Sequence, residues 1–545
     1  HEGAPAHEII SRAIRVMKTG VAAPKPSAAT FGGVRDELRR AFDAGVSTSL
    51  AWRRAQLLGL ARMLEDHLGE AVSALEADLS RPTGEAQGEV VLTIREAKEA
   101  AASMRGWSAA QKVGTHLMFL PGSAEVRRSA YGVALVIAPF NYPLWLALMP
   151  VVGALAAGNV CVLKPSELTP ACSAFLARRV GEYVHREAVR VVEGGVAESK
   201  ALLATRWDFI FFTGSPRVGR IVGSAAAERL TPCALELGGK APVVVHRSAS
   251  SVREAARRIV NTKMINLGQT CMAPDYVLVD SAVRAELVAA LLAEISAQFG
   301  SEPRESADLG RICTPAQYER VVGLLRASGG VVRQAGKAPA DAATRYVPPT
   351  LVEGPDLGSD LMSEEIFGPI LPIVPFESLA DAVTLIRRVD PTPLALYAFG
   401  ADGSFVEALL ASTQSGTACV NDCFVQNLNH TLPFGGVGTS GHGAAHGRWT
   451  FETFTYPRAL LWRHGRWDID QTVPLPLRHV SAASSSALRP RLLEIMLRHA
   501  PYVKLSRWAL AAALLAALAL ANPCALKGAL QGVATLALYL KGLLE

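Results

Sequence analysis

Cys271 stands in NLGQTCMAP, residues 266–274, a polar loop that carries a glycine and leads into a β-rich run. A cysteine so placed serves as a nucleophile when its thiolate is stabilised and a base lies close. Upstream, Glu236 sits in ELGGK, where two glycines let the backbone approach a ligand closely. A carboxylate beside a thiol suits two tasks, taking the thiol proton or activating a water. Asn141 follows the apolar run GVALVIAPF, at the carboxyl end of an expected strand, where open parallel sheets place their ligands. A side-chain amide there can hold an oxyanion. Taken singly, each has a plainer reading. Lone cysteines are usually structural, loop glutamates lie on surfaces, and an asparagine after a strand is usually a turn residue.

The elements that must position these side chains read as α/β. Residues 34–79 are helical, with Leu57, Leu60 or Ala61, Leu64 and Leu68 expected on one apolar face. Residues 132–138 form a short apolar run without polar alternation, as in a strand buried on both faces. A helix is expected from Pro143, strands at 160–163, 189–192 and 208–212, and a helix near 169–184. Apolar strands alternating with helices imply a parallel sheet. A second α/β segment runs from about Leu237 to Gly416, with strands at 242–245 and 276–279, and ends in the glycine-dense loop PFGGVGTSGHG, 433–443.

At 545 residues the chain exceeds one hydrophobic core, and with 50% hydrophobic and 19% charged residues it is too apolar for disorder. A net charge of +6 is mild. The pairs Arg127-Arg128, Arg257-Arg258 and Arg387-Arg388 read as solvated helix faces, and no basic, aromatic-interleaved stripe points to nucleic acid. Eight dispersed cysteines (161, 172, 233, 271, 313, 419, 423 and 524) suit a reducing compartment rather than a disulfide framework. Cys419 and Cys423 lack zinc-site partners and read as buried small hydrophobes; no metal is expected.

Together the motifs carry a resemblance. Asn141 in APFNYPLW, Glu236 in LELGGKAP and Cys271 in GQTC resemble the oxyanion, general-base and nucleophile motifs of the aldehyde dehydrogenase superfamily. KPSE at 164–167, FTGSPRVG at 212–219, EEIFGP at 364–369 and LPFGGVG at 432–438 follow that family's order. The resemblance covers roughly residues 30–463, and GQTCMAPDY, PLALYAFG and LPFGGVGTSGHGAAHGRWTFETF are most similar to the class 3, fatty-aldehyde branch. Departures are small: Ala241 where Ser is usual, and about one extra residue in VVVHRSASS.

The resemblance implies a Rossmann-like NAD(P) domain (28–113 and 129–236), an α/β catalytic domain (237–450) and a small β bridging element (114–128 and 451–463) that makes a homodimer. It implies attack by Cys271 on an aldehyde, an oxyanion held by Asn141 and the Cys271 amide, and a thioester hydrolysed by water that Glu236 activates. The cofactor, NAD or NADP, would have its pyrophosphate at Gly214, Ser215, Val218 and Gly219, where a helix opens at Pro216. Lys164 and Glu167 would contact the adenosine ribose, Leu237 and Gly238 would border the site, and Glu365 would hold the nicotinamide ribose beside Phe367. A carboxylate at the 2′-hydroxyl favours NAD, although class 3 relatives often accept both.

Beyond a linker and basic helix (464–506) lies a hydrophobic tail, 507–545. Arg507 and Lys527 bracket nineteen uncharged residues, WALAAALLAALALANPCAL, about 28 Å as a helix and just enough for a bilayer core. Arg489, Arg491, Arg498, Lys504 and Arg507 precede it, like cytoplasmic flanks of a membrane segment. Gly528 to Leu540 is too short to cross alone, and no KDEL- or SKL-type ending closes the sequence. The competing reading is an alanine-rich helix packed on the enzyme, interrupted by Asn522-Pro523. The first residue is His1, consistent with a processed start, and IISRAIRVMK at 9–18 reads as an amphipathic surface helix. The expectation is an intracellular, membrane-associated enzyme on the cytoplasmic face, with the endoplasmic reticulum a candidate, oxidising medium- to long-chain aldehydes. The rivals are a CoA-acylating or semialdehyde dehydrogenase, which Glu236 argues against, and a non-catalytic scaffold, which the intact trio argues against.

Overall fold

A computed structural model of the chain describes residues 28–116, 119, 122–463 and 502–503. The expected helix at 9–18, the tail at 507–545 and Cys524 lie outside the described residues, as does all of the 464–506 segment except 502–503.

Short apolar runs dictate the first sheet. Val133–Ile137 and Val160–Lys164 are buried at every position, because helices cover both faces and leave no side for polar alternation. The sheet order is Gly441–His442, Cys233–Leu237, Phe209–Gly214, Val133–Ile137, Val160–Lys164, Val189–Val191. All neighbours are parallel except the first pair. The chain order therefore reverses between Val133–Ile137 and Phe209–Gly214. That reversal opens the crevice in which doubly wound sheets bind ligands. The second sheet runs Val331–Gln334, Thr350–Glu353, Ile370–Phe376, Tyr276–Asp280, Pro242–Val245, Ala395–Phe399, Thr417–Val420, antiparallel only at its Val331–Gln334 edge.

The amino-terminal helical stretch divides into Ala28–Asp43, Leu50–Asp66 and Leu68–Leu79. Leu57, Leu60, Ala61 and Leu64 are buried as expected. Leu68 is 36% exposed, because the chain breaks at His67 and Leu68 starts a new helix with a new phase. The following helix, Thr83–Trp107, spans 25 residues. Arg127-Arg128 lies on strand Ser123–Ala130 and not on a helix; the other two arginine pairs are helical. Cys423 is buried, but Cys419 only partly.

Packing divides the described residues into two compact units, 28–107 with 129–456, and those of 108–128 with 457–463 and 502–503. The first holds both sheets. In the second, the described backbone belongs mainly to a three-stranded sheet ordered Gln111–Val113, Ser123–Ala130, Thr455–Trp462, and Tyr502–Val503 pairs with Thr115–His116. Phe451, expected to open the bridging strand, sits buried in helix Gly447–Thr453.

Candidate active site

Three loops converge at the crevice. Asn141 follows strand Val133–Ile137 and is 3% exposed. Its Nδ2 donates to the Gln269 carbonyl at 3.1 Å, and its own carbonyl accepts from Asn266 Nδ2 at 2.8 Å. The loop leading to Cys271 is strained: Asn266, Leu267 and Gly268 all have positive φ, 50°, 53° and 75°. For the two non-glycine residues such backbone costs on the order of 1–3 kcal/mol each, and it persists only where surroundings over-determine it. Here they do. The Asn266 amide donates to Glu85 at 2.8 Å, Gln269 Nε2 donates to the Asn266 and Arg311 carbonyls at 3.1 Å each, and Gln269 Oε1 accepts from the Cys313 amide at 2.9 Å.

Cys271 and Glu236 line one narrow cavity whose other walls include Leu146, Met149, Leu394 and Phe434. Glu236 ends strand Cys233–Leu237 but for one residue and is 2% exposed. Neither of its carboxylate oxygens has a hydrogen-bond partner among the described residues, and burial alone pushes its pKa well above the usual carboxylate range. Cys271 is partly buried as a residue, yet its thiol lies inside. Burial raises the thiol pKa, the carboxyls of Glu365 and Glu236 raise it further, and the Cys271 and Met272 amides oppose them. An acid held up in this way retains a proton near neutrality and, once ionised, is a strong acceptor for one. A wider depression elsewhere, among Val34, Glu37, Tyr183 and Arg190, is open to solvent and holds no nucleophile.

The expected cofactor residues gather at the same crevice. Gly214 ends its strand and Ser215 caps helix Pro216–Glu228, its Oγ accepting from the Val218 amide at 3.4 Å. A Cβ on Gly219 would stand 2.6 Å from the Leu237 side chain, so only glycine lets helix and strand pack this closely. Lys164 Nζ is buried and pairs with Glu167 Oε2 at 2.5 Å. A Cβ on Gly238 would lie 2.1 Å from Glu365 Oε2. Glu365 is pushed up to about 8, by burial first and then by Asp275. Its Oε1 has no partner among the described residues. Phe367 has a positive φ of 51° and packs edge-on against Phe140, ring centres 5.7 Å apart. A glycine-lined cradle, a capped helix start and a partnerless buried carboxyl fit a dinucleotide with free ribose hydroxyls.

Sequence reasoning missed several residues here. Lys240 is buried, pairs with Asp275 and donates to the Leu361 and Glu364 carbonyls, at 2.9 and 2.7 Å, so it ties down the segment before Glu365. Its neighbourhood in ELGGK was the available signal. Lys263 is fully buried, without a hydrogen-bond partner for its Nζ among the described residues, and burial lowers its pKa to about 8. Glu96, His430 and His446 cluster, with ligand-type atoms within 4.8 Å of one another. The two imidazole planes are parallel to within 1°, with ring centres 5.0 Å apart.

An aldehyde dehydrogenase family model matches residues 20–460. The chain belongs to the aldehyde dehydrogenase family. Human aldehyde dehydrogenase family 3 member B1 is 43% identical over 79% of this chain and 92% of that protein. An aldehyde dehydrogenase of Craterostigma plantagineum is 42% identical over 79% of this chain and 90% of that protein. The 4,4'-diaponeurosporen-aldehyde dehydrogenase of Staphylococcus aureus is 37% identical, over 80% and 94%. Among solved structures, the substrate-bound state of Staphylococcus aureus AldH superposes with a TM-score of 0.77 at 36% identity, covering 80% of this chain and 94% of that one. An NAD-dependent aldehyde dehydrogenase from Sinorhizobium meliloti gives 0.75 at 27% identity, over 84% and 90%. This aldehyde dehydrogenase has the family's fold, and its reaction is the NAD(P)-dependent oxidation of aldehydes.

Proposed function

We propose that the chain oxidises medium- to long-chain aliphatic aldehydes to carboxylates through a thioester on Cys271. The observation that carries the reading is the shared cavity: Cys271 and Glu236 with apolar walls from Leu146, Met149, Leu394 and Phe434. Apolar walls favour an alkyl chain, since each buried methylene contributes about 0.8 kcal/mol. The name of the Staphylococcus aureus 4,4'-diaponeurosporen-aldehyde enzyme supports an apolar aldehyde as well.

Cys271 attacks the aldehyde carbon as a thiolate, its proton having passed to solvent, so that Glu236 stays free to act as base in the later step. The Asn141 amide and the Cys271 backbone N–H hold the oxyanion; losing one such donor raises a barrier by about 2.7–4 kcal/mol. Bound NAD(P) supplies the hydride acceptor. Ser215, Val218 and Gly219 with Gly214 would receive its pyrophosphate, Lys164 and Glu167 its adenosine ribose, and Glu365 with Phe367 its nicotinamide ribose, beside Leu237 and Gly238. Glu236 then activates the water that cleaves the Cys271 thioester. An intact, buried Glu236 favours water over a thiol as the acyl acceptor.

Homodimerisation along the exposed edge strand Thr455–Trp462 belongs to the same reading, supported by Leu461 and Trp462 at 47% and 46% exposure. So does attachment to the cytoplasmic face of a membrane through 507–545, a segment outside the described residues. No helix among the described residues is long and apolar enough to cross a membrane.

The test is NADH and NADPH formation with aliphatic aldehydes of increasing length, for wild type and Cys271→Ala. Turnover that favours the longer chains and vanishes in Cys271→Ala is expected. Equal turnover by Cys271→Ala would end the thioester reading, and a preference for short or polar aldehydes would end the chain-length one.

A further inference from the structure

One buried side chain reaches both loops of the reaction centre. Arg81, just before helix Thr83–Trp107, is 3% exposed. Its Nη2 donates to the Asn141 carbonyl and its Nε to Asn266 Oδ1 at 3.3 Å, while Nη1 pairs with Glu89. Glu89 Oε1 in turn accepts the Leu144 and Trp145 amides, at 2.9 and 3.0 Å. The guanidinium carbon lies 4.7 Å from the centre of the Tyr142 ring, and the Tyr142 hydroxyl is 2.8 Å from Thr270 Oγ1. Asn141 and Asn266 stand 60 and 185 residues along the chain from Arg81, so this contact is a tertiary device and not a local turn.

We propose that Arg81 is a positioning residue for the reaction, fixing the Asn141 peptide against the loop that ends in Cys271 so that amide and thiol address one carbonyl. The inference rests on the roles given to Asn141 and Cys271 above. Arginine suits the task because its planar fork presents several donors in fixed directions, while lysine offers a single flexible point charge. A lysine here can serve Glu89 or the Asn141 carbonyl but cannot also hold Asn266. Glu236 stands on strand Cys233–Leu237, to which Arg81 makes no bond among those described. Losing Arg81 therefore slows both steps that pass through the oxyanion, attack on the aldehyde and attack of water on the thioester, and leaves the Glu236 base itself in place. An ion pair that served stability alone would lower the melting temperature and leave the rates of the folded protein unchanged.

The experiment compares wild type, Arg81→Lys, Arg81→Gln and Arg81→Ala, with Asn141→Ala and Cys271→Ala as references. NADH formation is followed in a single turnover with protonated and 1-deuterated aldehyde. Decay of an acyl-enzyme preloaded from an activated ester is followed by mass spectrometry, and thermal unfolding is recorded for each variant. In Arg81→Gln the single-turnover rate is expected to fall about 100-fold, the order that a small misplacement of reacting groups costs, and acyl-enzyme decay to slow with it while keeping the pH dependence set by Glu236. Arg81→Lys falls between, and added guanidinium restores part of the Arg81→Ala rate. A wild-type single-turnover rate in folded Arg81→Gln overturns the proposal, as does a loss that disappears once rates are taken per folded protein. If Arg81→Gln does not fold, the same single-turnover rate in Arg81→Lys decides. Activity in Cys271→Ala, or an unimpaired Asn141→Ala, brings down the site reading itself and is distinguishable from failure of the Arg81 role alone.

Discussion

At the scale of single residues, Glu236 carries the sharpest consequence. Its carboxyl is buried without a partner among the described residues, and burial holds its pKa well above the usual range. The ionised form is the base, so thioester hydrolysis should increase as pH rises through that elevated value and fail on the acid side. Glu236→Gln keeps the shape and removes the base. The expected outcome is an acyl-enzyme that still forms but decays at least about 100-fold more slowly, read by mass spectrometry after quenching. An unchanged decay rate would remove Glu236 from the hydrolytic step. The three catalytic residues proposed here were legible in sequence because each sits in a distinctive short motif. Arg81, Glu89 and Lys263 were not legible. In sequence they are charged residues in or beside amphipathic helices, and such residues are normally solvated. Only tertiary packing turns them inward.

At the scale of elements, the strands of the first sheet were readable because burial on both faces removes polar alternation and leaves continuous apolar runs. The two-residue strand Gly441–His442 was not. It returns from the second half of the chain to pair with Cys233–Leu237, Gly441 opposite Glu236, and nothing in a glycine-rich loop announces its partner. The central helix Trp145–Ala157 is buried at all 13 positions, so it has no polar face to betray its orientation. Its carboxyl-terminal half presses on helix Gly447–Thr453: a Cβ on Gly153 would lie 2.2 Å from Thr450 Cγ2 and 2.7 Å from Thr450 Cβ. Gly153→Ala must therefore push the two helices apart, and overpacking of this kind costs about 1–3 kcal/mol. Leu146 and Met149 ride on the same helix and wall the cavity. The substitution should lower the urea midpoint and raise KM for long aldehydes more than for short ones. Preserved stability would mean that the helices can separate without cost at this contact.

At the scale of the whole molecule, burying ionisable groups around one crevice ties stability to pH. Glu365 is pushed from its ordinary 4.5 up to about 8, by burial first and then by Asp275, and Lys263 is lowered from 10.5 to about 8, by burial first, with Asp275 and Glu365 opposing the shift. Between pH 4.5 and 8 the folded protein holds a proton on Glu365 that the unfolded chain has released. The stability this group contributes is fully present below 4.5 and is lost as pH rises towards 8, at up to about 1.4 kcal/mol per pH unit. Between about 8 and 10.5 the unfolded chain holds a proton on Lys263 that the folded protein lacks, so that group returns stability as pH rises further. The two together put a minimum near pH 8 in their joint contribution. Urea unfolding of the cofactor-free protein from pH 5 to 8 should accordingly show a decline in wild type that Glu365→Gln flattens. A decline of equal slope in both proteins would place its origin elsewhere in the molecule. The same asymmetry makes a ligand that donates hydrogen bonds to ionised Glu365 most stabilising at the alkaline end of that range, where the empty crevice is least favourable.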